Sequence, residues 1–195
     1  MMKDNFGNTS LFLASSYGHL EIVKLLIKEG NLQKEDIMMK DNYNQTALCW
    51  ASIFGHLEIV KLLIKEGNLQ KEDIMMKDID GRIALYWASC FGHLETVKLL
   101  IKEGNLQKED IMMKDNDGKT ALYWASSNDH LEIIKLLIKE GNLQKEDILH
   151  SGSVLHNNNG ETAYSVANKS IKQLFNNVLF NGDINDMIKD IMVKL

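Results

Sequence analysis

The stretch GHLEIVKLLIKEGNLQKEDIMMKD runs from Gly18 to Asp41, returns unchanged at Gly55 to Asp78, and returns at Gly92 to Asp115 with Thr96 as its one change. A fourth copy begins at Asp129 and keeps the pattern to Ile148. The starts at 18, 55, 92 and 129 fix a period of 37 residues. Self-similarity at such a period marks an array of stacked supersecondary units. Each unit touches only its neighbours, and together they bury one continuous core.

Within a copy the punctuation predicts two helices. Thr9 is a candidate N-terminal cap for Ser10 to Tyr17, and Gly18 stops that segment. Leu20 to Glu29 form a longer second helix, with Gly30 at its C-terminal cap. Only Glu21, Lys24 and Lys28 make a polar stripe on it, so its wide apolar arc must be covered from both sides. The units run at about 4–40, 41–77, 78–114 and 115–156, with a degenerate fifth at 157–181. Residues 183–195 carry Ile184, Met187, Ile188, Ile191 and Met192 on one helical face, the pattern expected of a terminal capping helix.

Composition narrows the function classes. The chain of 195 residues is 45% hydrophobic and 25% charged, ordinary for a folded domain, and its formal net charge is −5. No basic block is present, which argues against a nucleic-acid partner. No apolar run is long enough for a membrane helix, and MMKDNFGN lacks the apolar centre of a secretory signal. Cys49 and Cys90 occupy different positions of the repeat and read as free thiols of a reducing compartment. The expected location is the cytoplasm, where Asn8-Thr9-Ser10 and Asn44-Gln45-Thr46 would not act as glycosylation sites.

The copies also carry a family resemblance. Thr9-Ser10-Leu11-Phe12-Leu13-Ala14, Thr46-Ala47-Leu48-Cys49-Trp50-Ala51, Ile83-Ala84-Leu85-Tyr86-Trp87-Ala88 and Thr120-Ala121-Leu122-Tyr123-Trp124-Ala125 keep the frame T-P-L-H-x-A. With the following Gly-His-Leu-Glu-Ile-Val-Lys-Leu-Leu run, the chain resembles the ankyrin repeat. The resemblance implies an all-α, helix-turn-helix solenoid with short β-hairpin-like connections. It also implies a non-enzymatic scaffold for protein–protein interaction. The departures are specific. The chain has no proline, and Phe12, Cys49, Tyr86 and Tyr123 stand where the family has histidine. Trp50, Trp87 and Trp124 resemble the family's buried leucine and are expected between helices. Ile83 replaces the capping threonine without evident compensation. The period exceeds the family's usual length of about 33 residues. The surplus, Asn31 to Glu35, either extends the second helix or adds a turn behind it, making Leu32, Leu69, Leu106 and Leu143 an extra apolar column.

No catalytic constellation emerges. His19, His56, His93 and His130 are separated by whole repeats and lack metal-ligand spacing, so they read as structural. Asp115-Asn116-Asp117-Gly118 suggests a calcium loop, but Met113 and Trp124 would fill its first and last ligand positions. Most acidic residues fall at repeated positions expected to be solvated. The chain is therefore expected to be no enzyme and to need no cofactor or metal.

Variation between units is more informative. In a duplicated array, identical positions satisfy the stack and differing positions are free to meet a partner. The differences gather in the turn and at the end of the short helix, positions that line the concave face of ankyrin arrays. Phe6, Tyr17, Tyr43, Ile53, Phe54, Ile79 and Phe91 are the candidate contacts, with Asp117 and Asn128 as a polar rim. If the rings instead pack between helices, they are core and not contact. The expected molecule is a monomer that binds a protein partner of unspecified identity. Its rivals are the recognition arm of a larger enzyme or adaptor, and a structural spacer without a specific partner.

Overall fold

The computed structural model describes residues 2–144, 148, 158–159 and 161–181, with side chains to Asn176. The capping helix expected at 183–195, and His150 and His156, lie outside the described residues. The described elements are helical, and no strand forms among them. Three helices recur in each of the first three copies. In the first they are α1 (Ser10–Ser16), α2 (Leu20–Lys28) and α3 (Lys34–Ile37). The next triplets are α4 (Ala47–Ile53), α5 (Leu57–Glu66) and α6 (Lys71–Ile74), then α7 (Ala84–Cys90), α8 (Leu94–Glu103) and α9 (Lys108–Ile111). There follow α10 (Ala121–Ser127), α11 (Leu131–Glu140), α12 (Ala163–Val166) and α13 (Lys169–Asn181).

The short helices start where the sequence places them. Thr9, Thr46 and Thr120 accept from the backbone N–H of Phe12, Cys49 and Tyr123 at 3.2, 3.4 and 3.2 Å. Ile83 offers no such bond, and Tyr86 N–H bonds to the Ile83 carbonyl instead at 3.0 Å. Ile83 is also buried, so packing occupies the place of the missing cap. The surplus residues form a separate helix, α3 and its repeats, and do not extend the second one. Gln33 starts it, with the Asp36 carboxylate accepting from Gln33 N–H at 3.1 Å. The leucine column behind it is real: Leu69, Leu106 and Leu143 are buried and Leu32 partly so. Lys34 reaches Asp73 and Lys71 reaches Asp110, both at 2.5 Å, so these helices tie successive units together.

Two glycine positions differ in their reason. Gly55 and Gly92 hold φ of 68° and 81°, and a Cβ there would lie 2.3 and 2.7 Å from the rings of His93 and His130. Gly67, Gly104 and Gly141 are the C-caps of α5, α8 and α11, the place expected of the second-helix glycine, and Gly30 follows the C-cap Glu29 of α2. Gly67 and Gly104 hold φ of −77° and −78°, and Asn68 and Asn105 take the left-handed turn at 46° and 44°. A Cβ on Gly67 or Gly104 would lie 2.4 or 2.8 Å from the carbonyl oxygen of Leu63 or Leu100. Close approach requires glycine there.

The core runs along the stack. Ala51, Ala88 and Ala125 with Ser52, Ser89 and Ser126 are wholly buried between the short helices, and Val60, Leu63, Val97, Leu100, Ile134 and Leu137 are buried on the long ones. Small residues bring short helices closer than branched residues bring long helices. Accordingly α1, α4, α7 and α10 pack more intimately along the stack than α2, α5, α8 and α11.

Candidate functional site

The candidate face is built from short-helix ends and turns. Each turn is folded around a buried or anchored aspartate. Asp41 Oδ1 accepts from the N–H of Tyr43 and of Gln45, both at 2.8 Å. Asp78 Oδ1 does the same for Asp80 and Arg82, both at 2.9 Å, and Asp115 Oδ1 for Asp117 and Lys119 at 3.0 and 2.8 Å. Asp41, Asp78 and Asp115 are buried, exceptions to the solvated positions expected of most repeated acids. Successive turns are linked by backbone bonds, Asn42 N–H to Phe6 O at 3.2 Å and Ile79 N–H to Tyr43 O at 3.0 Å. The connections are thus hairpin-like turns carrying a one-bond ladder.

Nearly all predicted contact residues are exposed. Phe6, Tyr17, Tyr43, Phe54, Ile79 and Phe91 are 67, 72, 57, 49, 49 and 51% accessible. Asp117 and Asn128 are exposed as well, and Ile53 is partly buried. Tyr17, Phe54, Phe91 and Asn128 are the C-cap residues of α1, α4, α7 and α10, which sets them in one column. Phe6 and Tyr43 occupy matching turn positions, where the third and fourth turns carry Asp80 and Asp117. Ile79 sits one residue away, in the column of Asn5, Asn42 and Asn116.

The tryptophans belong to this face and are only partly buried, a partial correction to their expected place between helices. Trp50 stacks on Phe54 with ring centroids 5.8 Å apart, and Trp87 on Phe91 at 6.1 Å. Leu13, in the same register, is 40% exposed. Trp50 Nε1–H reaches Asp41 Oδ2 at 3.4 Å and Trp87 Nε1–H reaches Asp78 Oδ2 at 3.2 Å, so the aspartates that fold the turns also fix the indoles. The i,i+4 spacing of Trp50 with Phe54 and of Trp87 with Phe91 was the sequence signal for these platforms.

Polar groups close the face toward the fourth turn. The Arg82 guanidinium lies 5.0 Å from the Trp87 ring centre, donates to Asp80 Oδ2 at 2.8 Å, and brings Nε within 3.8 Å of Asp115 Oδ2. Lys119 Nζ lies 4.9 Å over Trp124 and 3.4 Å from Asp117. Asn128 donates to the Cys90 carbonyl at 3.0 Å, so its amide also serves the stack.

The histidines act between units. Nε2 of His56, His93 and His130 lies 3.1, 2.9 and 3.0 Å from the carbonyls of Ser16, Ile53 and Cys90. Burial pushes the thiols of Cys49 and Cys90 upward, and burial beside Asp115 raises the Tyr86 phenol, so these groups stay protonated. Both cysteines are free. No group of three or more His, Cys, Asp or Glu among the described residues is arranged to hold a metal, and none of the described helices is long and apolar enough to cross a membrane.

The family model for ankyrin repeats matches residues 1–73, 68–150 and 105–187. The search of curated proteins returned no match. The chain belongs to the ankyrin-repeat family, whose repeats are generally protein–protein interaction modules and typically non-catalytic.

Proposed function

We propose that this chain is a non-enzymatic, monomeric scaffold of the cytoplasm that takes a protein partner on the face formed by α1, α4, α7 and the turns. The observation carrying this reading is the exposed column Tyr17, Phe54 and Phe91, two members of which are stacked on indoles. A contiguous exposed apolar patch marks an interaction surface. Rings already held in place lose little conformational freedom when a partner covers them, and aromatic anchors dominate interface energies. Phe6 and Tyr43 extend the patch along the turn tips, Ile53 supports it, and Ile79 borders it. Asp117 and Asn128 form its polar edge.

The magnitude follows from exposure. A phenylalanine carries about 200 Å² of surface, so covering the exposed half of Phe54 is worth about 2.5 kcal/mol at ~25 cal/mol per Å². After ordering costs, loss of one ring should weaken binding by about 1–2 kcal/mol. Affinity capture followed by mass spectrometry tests this, comparing the native chain with Phe54→Ala/Phe91→Ala and with Lys24→Glu/Lys61→Glu. The ring variant should lose partners that the lysine variant keeps, with both folded by circular dichroism. Partners retained by the folded ring variant, or lost only through the lysines, would move the site to another face.

A further inference from the structure

In the second and third units the aspartate that folds the turn also serves the stack. Asp41 Oδ2 accepts from the Trp50 indole at 3.4 Å. Asp78 Oδ2 accepts from the Trp87 indole at 3.2 Å and, across the joint from the second unit, from Gln45 Nε2 at 3.4 Å. The joint between the third and fourth units does not repeat this. There Asp115 Oδ2 and Trp124 Nε1 are buried without a hydrogen-bond partner among the described residues, and so are Arg82 Nε and the Tyr86 hydroxyl. Arg82 stands at the place of Gln45, but its guanidinium donates to Asp80 at 2.8 Å, and its Nε stops 3.8 Å from Asp115 Oδ2. Tyr86 stands at the place of Cys49, with its ring 5.9 Å from that of Trp124 and its phenol beside Asp115. The Asp115 side chain is 1% exposed, so bulk solvent does not serve it. Two further buried atoms lack a partner among the described residues, the Ser15 and Ser89 hydroxyls. Each can turn to a carbonyl of its own helix, as Ser52 and Ser126 do. The other four come from four side chains of two units and lie across one joint.

Native proteins pair nearly all their buried polar groups, and a polar gap wider than a direct bond calls for a bridging water. The chemistry of the four atoms selects that bridge. Arg82 Nε–H and Trp124 Nε1–H need an acceptor, and the Asp115 carboxylate needs a donor. A metal cation would meet two N–H groups and the arginine charge, and an anion would meet the carboxylate. Water brings two lone pairs and two hydrogens. We infer that one buried water is built into the joint between the third and fourth units, accepting from Arg82 and Trp124 and donating to Asp115 Oδ2 and the Tyr86 oxygen. An internal water makes about two to four hydrogen bonds, and this site offers four. The third unit thus meets the fourth through a water, where the second meets the third through Gln45 directly. Arg82 and Tyr86 make the difference, since Gln45 and Cys49 leave neither a cation nor a phenol at the earlier joint. The site lies within the stack and is independent of what the ringed face binds.

A crystal structure of the full chain that shows ordered solvent tests this. One water should lie within hydrogen-bond distance, about 2.7–3.2 Å, of Asp115 Oδ2, Trp124 Nε1 and at least one of Arg82 Nε and the Tyr86 oxygen. No water should stand between Trp50 and Asp41 or between Trp87 and Asp78. Arg82→Gln/Tyr86→Cys gives this joint the residues of the joint before it. That variant should lose the water and close a direct bond from the Trp124 indole to Asp115. In solution, nuclear magnetic resonance of the native chain should show a cross-peak from the Trp124 indole N–H to a long-lived water. Tyr86→Phe should keep the cross-peak, because hydroxyl exchange is not its source, and the double variant should lose it. A native crystal structure in which Trp124 Nε1 bonds Asp115 directly with no water between them overturns the proposal. So does a cross-peak that disappears in folded Tyr86→Phe, or a water that a folded Arg82→Gln/Tyr86→Cys variant retains.

Discussion

Gly55→Ala tests how one unit is fastened to the next. Gly55 holds φ of 68°, and the added Cβ would lie 2.3 Å from Nδ1 of His93. Two costs follow. A left-handed alanine is worth about 1–2 kcal/mol against glycine. Moving the imidazole also strains or breaks its contact with the Ile53 carbonyl, now 2.9 Å, worth about 0.5–1.5 kcal/mol. The substitution should therefore destabilise the array by about 2–3 kcal/mol. In a His93→Ala background only the backbone cost remains, so the cycle should show about 1 kcal/mol of coupling. Urea unfolding followed by the fluorescence of Trp50, Trp87 and Trp124 measures all four proteins. The fourth unit provides an internal control. Asp129 already holds φ of 61°, and residues 157–181 contain no histidine to stand over it. Asp129→Ala should cost less than about 1 kcal/mol, because aspartate gains little over alanine in this conformation. Equal losses for Gly55→Ala with and without His93 would refute the fastening argument and leave only backbone strain.

Two smaller predictions concern capping. Ile83→Thr gains a hydroxyl cap worth about 0.5–2 kcal/mol and loses roughly 1–1.5 kcal/mol of aliphatic burial, so the free energy of unfolding in urea should change by no more than about 1 kcal/mol in either direction. A loss above about 2 kcal/mol would mean that Ile83 packs too tightly for the cap seen at Thr120 to form. Asp73→Ala should cost about 1–2 kcal/mol, more than Lys34→Ala, because Asp73 accepts from Gln70 N–H at 2.7 Å as well as pairing with Lys34. Hydrogen exchange at Gln70 separates the two roles, since Asp73→Ala should unprotect that amide and Lys34→Ala should leave it protected.

The helix pairs, their caps and the turn residues were legible because each rests on local chemistry repeated four times. Thr9, Thr46 and Thr120 cap, and Asn44 takes φ of 58° where other turns have glycine. The sequence leaves two options for the third helix, an extension of the second helix or a turn behind it. Its N-cap is Gln33, a residue outside the usual capping set, and its four residues are too few to show a period. The C-cap place of Gly67 is legible, but its reason is not, because sequence reports a missing side chain without saying whether φ or space requires it. Here the Leu63 carbonyl requires the space, and Asn68 makes the turn.

Exposure of the rings was the least legible feature, since large apolar residues bury by default. What decides it is position in the stack. Phe54 and Phe91 are C-cap residues, one step before Gly55 and Gly92 turn the chain away, so their side chains project beyond the short helices that follow. Phe12 and Trp50 lie one turn earlier in their own helices, at 5.1 Å from each other, and are covered in proportion. The difference between units marks the same residues from another direction. Positions 14, 51, 88 and 125 are alanine in every unit because two short helices meet there, and Ala51, Ala88 and Ala125 have no exposed surface. Positions 17, 54 and 91 read Tyr, Phe and Phe, each about half or more exposed, while Asn128 in the same column donates to the Cys90 carbonyl of the preceding unit. Contact between units does not explain an exposed position that is aromatic in three of four units, and stacking on Trp50 and Trp87 covers only one side of two of the rings. That is the argument for placing the partner over α1, α4 and α7 and ending its apolar contact before Asn128.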